Sequence, residues 1–178
     1  MHDGILLTNG EFLDKLKAHK DNAKHYAFSV FLFNANKELL LQKRAKNKYH
    51  SGGLWSNSCC SHFRNINEFN NKETTARNRI FEELGIDYKN KLKQIDIFEY
   101  QTAVNNNLFE NEVDYLFTGF IGVELPTLKQ LFNKHEVEDV RFLSILDLKE
   151  QIKKTPDEYT VWLKLILNNK NLMKRLLP

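Results

Sequence analysis

Six side chains that can hold a metal ion or move a proton occur in three short stretches of the sequence. They are the imidazoles of His19, His25 and His62, the carboxylates of Glu110 and Glu112, and the thiol of Cys60. Residues i and i+2 of a β-strand point the same way. On an extended segment, Cys60 and His62 would therefore share one face, as would Glu110 and Glu112. Three imidazoles and two carboxylates form a mixed nitrogen and oxygen site, which suits Mn²⁺, Zn²⁺ or Mg²⁺ better than a soft metal.

Each of these pieces also has an ordinary structural interpretation. An H-x5-H pair in a polar segment is usually two solvated histidines, and a free cysteine is commonly a small buried hydrophobe. An E-x-E pair on a strand is most often a charged solvent face. Glu83 on a helix is usually solvated, while Tyr100 and Trp162 are usually part of a core. Spacing alone therefore leaves the functional and the structural interpretations open.

Composition predicts a single domain over residues 1–178, with 42% hydrophobic residues available for a core. The net charge of +3 is too small to indicate a nucleic-acid partner, and it allows a small anionic substrate. No apolar stretch approaches the ~20 residues that span a bilayer, and no secretory signal is expected. The adjacent Cys59 and Cys60 are poorly placed for a mutual disulfide, so we expect reduced thiols and a cytoplasmic protein. A monomer or a homodimer is expected.

Apolar patterns predict a mixture of sheet and helices. Strands are predicted at 26–33, 38–43, 95–101 and 110–121, helices at 73–84, 127–133, 144–153 and 157–169, and loops at 44–53 and 65–72. Gly85 is expected to end the first helix, and Pro156 to precede the last, in which Tyr159 and Trp162 would share one face. These elements favour an α+β sandwich, with a segment of about 1–25 that supplies metal ligands and C-terminal helices at about 144–178.

Taken in order, the motifs resemble those of the type 1 isopentenyl-diphosphate Δ-isomerase family, whose members have a Nudix fold. The resemblance runs from about Lys15 to Trp162. It rests on H-Y-A-F-S at 25–29, Q-K-R-A at 42–45, L-W-S-N-S-C-C-S-H at 54–62, E-E-L-G-I at 82–86 and E-N-E-V at 110–113. The resemblance implies an α/β/α sandwich with a mixed sheet and the conversion of isopentenyl diphosphate to dimethylallyl diphosphate.

The resemblance also implies a role for each site residue. The first metal site, for Mn²⁺ or Zn²⁺, would consist of His19, His25, His62, Glu110 and Glu112. Cys60 and Glu112 would be the catalytic pair on opposite faces of the substrate, with Tyr100 hydrogen-bonded to the glutamate and Trp162 facing the positive charge. Glu83 and the backbone carbonyl of Cys60 would bind the Mg²⁺ that accompanies the substrate diphosphate. The diphosphate itself would contact Lys15, Arg44, Lys48 and Arg79.

The chemistry of this isomerisation requires such a set. One proton must be added to the carbon skeleton and another removed nearby, so an acid and a base must flank it and a tertiary carbocation is the implied intermediate. An indole face stabilises a desolvated cation by about 2 kcal/mol. An unperturbed thiol, with a pKa of about 8.5, is mostly protonated at neutral pH. Which of Cys60 and Glu112 donates first stays open at this point.

Two other functions remain as alternatives. The first is a Nudix-type hydrolase of nucleoside-diphosphate-linked compounds, but the hydrolase signature G-x5-E-x7-R-E-U-x-E-E-x-G-U is broken here. Arg64 and Asn70 replace its first Gly and Glu, and Asn78 and Arg79 replace its Arg-Glu pair. The second is a non-catalytic metal-binding domain, which would leave the separate basic residues without a role.

Overall fold

A mixed β-sheet of seven strands forms the centre of the computed structural model, which describes residues 4–176. Its strands are β3 (His25–Phe33), β4 (Leu39–Arg44), β5 (Trp55–Ser56), β6 (Cys59–His62), β7 (Lys93–Val104), β8 (Leu108–Phe120) and β9 (Val137–Leu143). The strand order is β5-β4-β3-β8-β7, with β6 also paired to β3 and β9 to β4. Only β3 and β8 pair in parallel among these strands, which makes the sheet mixed, as predicted.

The alternation of apolar side chains along β3 produces two cores, one on each face of the sheet. Phe28 and Val30 pack into one core, whereas Phe31 and Phe33 pack into the other. Helices α2 (Ile66–Asn70), α3 (Lys72–Leu84) and α4 (Leu125–Leu131) lie on the first side, and α5 (Ile145–Lys154), α6 (Val161–Asn168) and α7 (Lys170–Leu176) on the second. The predicted α/β/α sandwich is therefore confirmed.

A small N-terminal unit covers one edge of the main core. It consists of the hairpin of β1 (Gly4–Leu6) and β2 (Phe12–Asp14), followed by the helix α1 (Lys15–Lys20). Ile5 and Ala18 help to form its own small core. The Leu6 N–H donates to the Phe63 carbonyl at 2.8 Å, which joins the hairpin to the end of β6. This unit gives residues 4–24 a defined structure and fixes the helix that carries His19.

Two of the predicted elements are wrong in detail. The polar stretch 65–72, predicted as a loop, contains α2, because the Asn65 side chain caps it by accepting from the Glu68 N–H at 2.9 Å. The last predicted helix, 157–169, begins only at residue 161. Residues 156–158 form a 3₁₀ turn and Tyr159 is extended, so Tyr159 and Trp162 do not share a helix face. Over residues 4–176, no helix is long and apolar enough to cross a membrane.

Candidate functional site

The register of four strands, β3, β6, β7 and β8, brings the predicted residues to one cleft. His25 on β3 lies beside Glu112 on β8, Tyr100 on β7 pairs with the same glutamate, and His62 on β6 lies opposite Ala27 of β3. Ten of the thirteen predicted side chains line this cleft, namely Lys15, Arg44, Lys48, Cys60, His62, Arg79, Tyr100, Glu110, Glu112 and Trp162. Residues spread over almost 150 positions of the sequence are thus adjacent in space.

A buried cluster of imidazoles and one carboxylate occupies the closed end of this cleft. His19, His25, His62 and Glu110 each offer a ligand atom, and these atoms lie within 4.8 Å of one another. The distance from Glu110 Oε2 to Nε2 is 3.2 Å for His19, 3.8 Å for His25 and 4.0 Å for His62. Glu112 adjoins the cluster, with its Oε1 3.0 Å from His62 Nε2 and 3.6 Å from His25 Nε2.

Backbone carbonyls determine how two of these imidazoles are protonated. His19 Nδ1 donates to the Lys15 carbonyl at 2.7 Å, and His25 Nδ1 donates to the Ala23 carbonyl at 2.8 Å. A carbonyl can only accept, so in the neutral ring each Nε2 carries a lone pair that faces the carboxylates. This outer contact is the one that metal-binding histidines usually make.

The buried atoms at the centre of the cluster fit a divalent cation. His25 Nε2 and Glu110 Oε2 are buried and have no hydrogen-bond partner among the residues described. Unpaired buried polar atoms are costly, and lone pairs that face one another repel. A cation held by His19, His25, His62 and the two glutamates would satisfy them together, and imidazole with carboxylate suits Mn²⁺ or Zn²⁺.

Both carboxylates are held in the ionised form. Burial alone would raise the pKa of Glu110, but the adjacent imidazoles of His19, His50 and His62 outweigh it and hold the pKa well below its ordinary value. Burial and the neighbouring charge of Glu110 likewise oppose ionisation of Glu112, and the adjacent imidazoles of His25 and His62 lower its pKa. The imidazoles therefore stabilise two adjacent negative charges in the protein interior.

The Cys60 thiol is in the opposite ionisation state. Burial raises the pKa of Cys60 to about 12, and the charges of Glu83 and Glu112 act in the same direction, while Arg44 opposes them. Arg44 Nη1 lies 3.9 Å from the sulfur. Cys59, by contrast, is fully buried in the apolar core. The cleft thus contains a protonated thiol together with the two ionised carboxylates of Glu110 and Glu112.

Two aromatic residues complete this part of the cleft. The Tyr100 hydroxyl donates to Glu112 Oε2 at 2.6 Å, and burial followed by the charge of Glu112 raises the pKa of Tyr100 well above its usual value. The Trp162 indole N–H donates to Ser56 Oγ at 3.0 Å and to Asn57 Oδ1 at 3.2 Å, which fixes the ring. The Arg44 guanidinium lies 5.3 Å from the indole centroid, so this ring already faces a cation.

The open end of the cleft is basic. Lys15, Lys48 and Arg79 line it together with Arg44. Lys48 forms an ion pair with Glu136, and Arg79 Nη2 lies 2.8 Å from the same carboxylate. Arg79 Nε also lies 2.8 Å from Glu83 Oε1, whereas Glu83 Oε2 accepts from Gln42 at 2.8 Å. Glu83 is buried, and both of its oxygens are hydrogen-bonded within the protein.

Two residues of the cleft that contact the cluster, Tyr49 and His50, were not predicted from the sequence. His50 Nε2 lies 2.9 Å from Glu110 Oε1, and the Tyr49 hydroxyl lies 3.3 Å from His19 Nε2. Burial lowers the pKa of His50, although its contact with Glu110 acts against this. The available signal was a histidine beside Ser51 and Gly52, shortly before Trp55, in a segment predicted as a basic loop.

Comparisons with known proteins agree with this geometry. The NUDIX domain profile matches residues 23–163. The chain is 42% identical over 167 residues to "Isopentenyl-diphosphate Delta-isomerase 2" of Photorhabdus laumondii subsp. laumondii, covering 94% of this chain and 86% of that protein. It is 36% identical to the protein of the same name from Aromatoleum aromaticum, covering 92% and 84%.

Solved structures of much lower identity support the fold alone. A Deinococcus radiodurans protein superposes with a TM-score of 0.65 at 11% identity, covering 97% of both chains. The MutT protein of Methanosarcina mazei Go1 has a TM-score of 0.55 at 13% identity, covering 85% of this chain and 94% of that one. The arrangement of sheet and helices is thus shared with proteins whose sequences have diverged far from this one.

Proposed function

Because the chain belongs to the Nudix-fold family of isopentenyl-diphosphate Δ-isomerases, we propose that it converts isopentenyl diphosphate to dimethylallyl diphosphate. The observation that carries this proposal is the pairing, in one cleft, of a protonated thiol with an ionised carboxylate. A double bond can shift when one group adds a proton at one end of an allylic unit and another group removes a proton at the other.

The ionisation states of Cys60 and Glu112 suit this proton balance. Between the lowered pKa of Glu112 and the raised pKa of Cys60, the pair holds one proton in total. Each turnover adds one proton to the substrate and removes one, so the pair ends with the same number. Tyr100, whose hydroxyl contacts Glu112, would support the transfer on the carboxylate side.

Trp162 would stabilise the carbocation that forms between the two proton transfers. Its indole N–H is hydrogen-bonded to Ser56 and Asn57, which holds the ring in place without covering its face. A cation over an indole gains about 2 kcal/mol when water is excluded, and this gain applies only while the charge exists.

The basic end of the cleft would bind the diphosphate. Lys15, Arg44, Lys48 and Arg79 provide the cationic side chains, and Arg79 and Lys48 would exchange the Glu136 carboxylate for phosphate oxygens. Mg²⁺ bound with the substrate, near Glu83 and the Cys60 carbonyl, would reduce the remaining negative charge. His19, His25, His62, Glu110 and Glu112 would hold Mn²⁺ or Zn²⁺, whose positive charge favours the ionised form of the glutamates.

Incubation with isopentenyl diphosphate and Mg²⁺ in D₂O tests this function, with NMR and mass spectrometry as readouts. We expect deuterated dimethylallyl diphosphate from the wild type and no conversion by Cys60→Ala. Cys59→Ala is the matched control, because Cys59 packs in the apolar core and should leave turnover intact.

Two results would overturn the proposal. The first is a Cys60→Ala variant that converts the substrate at the wild-type rate. The second is release of phosphate or pyrophosphate from diphosphate compounds without isomerisation, which would indicate the hydrolase instead. Arg79 stands where the hydrolase signature has its glutamate, and it lies in ion pairs with Glu82, Glu83 and Glu136.

A further inference from the structure

His50 is a fourth buried imidazole at the cluster, and the roles described so far do not use it. The residue is 1% exposed, and its Nε2 lies 2.9 Å from Glu110 Oε1 without forming a regular hydrogen bond to any of the residues described. Its ring meets the Trp162 indole edge to face, with centroids 5.9 Å apart. His50 therefore lies between the carboxylate of the cluster and the aromatic face of the cleft.

The contacts of His50 differ from those of the other imidazoles in two ways. His19 and His25 place Nδ1 on a backbone carbonyl, but His50 Nδ1 lies 3.1 Å from the Ser51 hydroxyl, which can donate to it. Moreover, His50 contacts Oε1 of Glu110, whereas the others surround Oε2. An ionised carboxylate only accepts, so the proton of neutral His50 belongs on Nε2.

The loop that carries His50 is built to turn this ring inward. Ser51 has a φ of +51°, a conformation that is uncommon for residues other than glycine. Its N–H donates to Asn105 Oδ1 at 2.8 Å, which ties the loop to the β7–β8 connection. Gly52 follows, where a Cβ would lie 2.4 Å from the Lys46 carbonyl oxygen. A strained residue held by a distant side chain is a feature of positioned functional groups.

We propose that His50 is a positioning residue that holds Glu110 Oε1 and leaves Oε2 alone to face His19, His25 and His62. Glu110 would then bind a divalent cation through a single oxygen, and His50 would remain outside the ligand set. This inference rests on the metal site of the proposed function, but it does not depend on the reaction catalysed there.

Mn²⁺ titration without prenyl diphosphate tests the effect on affinity, followed by electron paramagnetic resonance of the unbound ion. His50→Phe keeps a planar ring but removes the donor, and we expect an affinity about 10- to 100-fold weaker. His50→Gln places an amide N–H near the same position and should restore most of the affinity. His135→Phe makes the same substitution at an exposed histidine and should bind Mn²⁺ as the wild type does. Wild-type affinity in His50→Phe would overturn the proposal.

Two spectroscopic measurements separate positioning from direct coordination. Long-range ¹H–¹⁵N NMR of the metal-free wild type should show His50 protonated at Nε2, and protonation at Nδ1 would contradict the proposal. Electron–nuclear double resonance of Mn²⁺ in ¹⁵N-histidine-labelled protein should count three coordinated imidazoles in the wild type and in His50→Phe. A fall from four to three would make His50 a ligand and overturn the positioning role, whatever the isomerase assay shows.

Discussion

At the scale of single residues, Glu110 and Glu112 share one feature: the two oxygens of each carboxylate contact different partners. Glu110 directs Oε2 at the imidazole cluster and Oε1 at His50, while Glu112 directs Oε1 at His62 and Oε2 at Tyr100. One oxygen of each carboxylate is therefore available to a cation, and the other is held by a donor. This division allows Glu112 to serve as a proposed metal ligand and also as a partner in proton transfer.

Removal of the Tyr100 hydroxyl tests the role of Glu112 in proton transfer separately from its role as a metal ligand. A hydrogen bond to a charged group contributes about 1.5–3 kcal/mol, so Tyr100→Phe should lower kcat/KM by about 10- to 100-fold. Mn²⁺ affinity should hardly change, because the hydroxyl contacts the oxygen that faces away from the imidazoles. Tyr115→Phe, in the apolar packing around Phe69, is the matched control. Parallel losses of turnover and metal binding in Tyr100→Phe would contradict the separation.

The raised pKa of Cys60 predicts an alkaline loss of stability. Its pKa in the folded protein is about 12, against an ordinary value of 9.0, so folding favours the protonated thiol. The corresponding stabilisation is complete below pH 9 and is lost as pH rises from there towards 12, by at most about 1.4 kcal/mol per pH unit. Thermal melts between pH 7 and 10.5 should therefore show a steeper decline for the wild type than for Cys60→Ser. Parallel curves would mean that the thiol ionises normally.

At the scale of elements, helix α3 ends at Gly85, which is its C-cap residue. Gly85 has a φ of +69°, and a Cβ there would lie 2.3 Å from the Leu131 carbonyl oxygen. Gly85→Ala should lower the free energy of unfolding by about 1–3 kcal/mol from backbone strain, with the steric clash adding to this. Gly10→Ala is the control for strain alone, because Gly10 has a φ of +89° and nothing within 4 Å of such a Cβ. Equal losses for both variants in urea denaturation would rule out a contribution from the clash.

The elements that the sequence predicted well are those with a strong local pattern. Strand β3, helix α3 and the cap at Gly85 follow from apolar periodicity and one glycine, and all three are present. Strand β9 was missed because its apolar residues do not alternate, and its pairing with β4 is interrupted by a register shift at Lys43/Arg44. Helix α2 was missed because it is polar and depends on a side-chain cap.

The residues of the candidate site likewise differ in how well the sequence predicts their positions. The three imidazoles, two carboxylates and one thiol of the site stood out in the sequence by residue type and spacing. Strand register alone accounts for the contacts of Glu112 with His25 and Tyr100. The position of His50 could not be read from its neighbours in the chain. It depends on the φ of Ser51 and on a hydrogen bond to Asn105, 54 residues away.

At the scale of the whole molecule, the proposed metal ion would link the N-terminal unit to the central sheet. His19 belongs to the N-terminal unit, His25 and His62 to the central strands, and Glu110 to the start of β8. The N-terminal unit has only a small apolar core of its own, around Ile5 and Leu7. A cation bound to all three regions would stabilise only the folded arrangement, because the unfolded chain does not bring these ligands together.

Metal removal should therefore lower the thermal stability of the entire chain. A ligand present at 100 times its Kd adds about 2.7 kcal/mol, which for a chain of this size corresponds to about 5–10 °C in Tm. We expect differential scanning calorimetry to show this difference between Mn²⁺-loaded and chelator-treated wild type, and to show none for His62→Ala, which removes a ligand. His135→Ala, which changes an exposed histidine, should keep the full difference. If His62→Ala responded to Mn²⁺ as the wild type does, the stabilising ion would be bound elsewhere, since the imidazole of His62 is part of the cluster that would hold it.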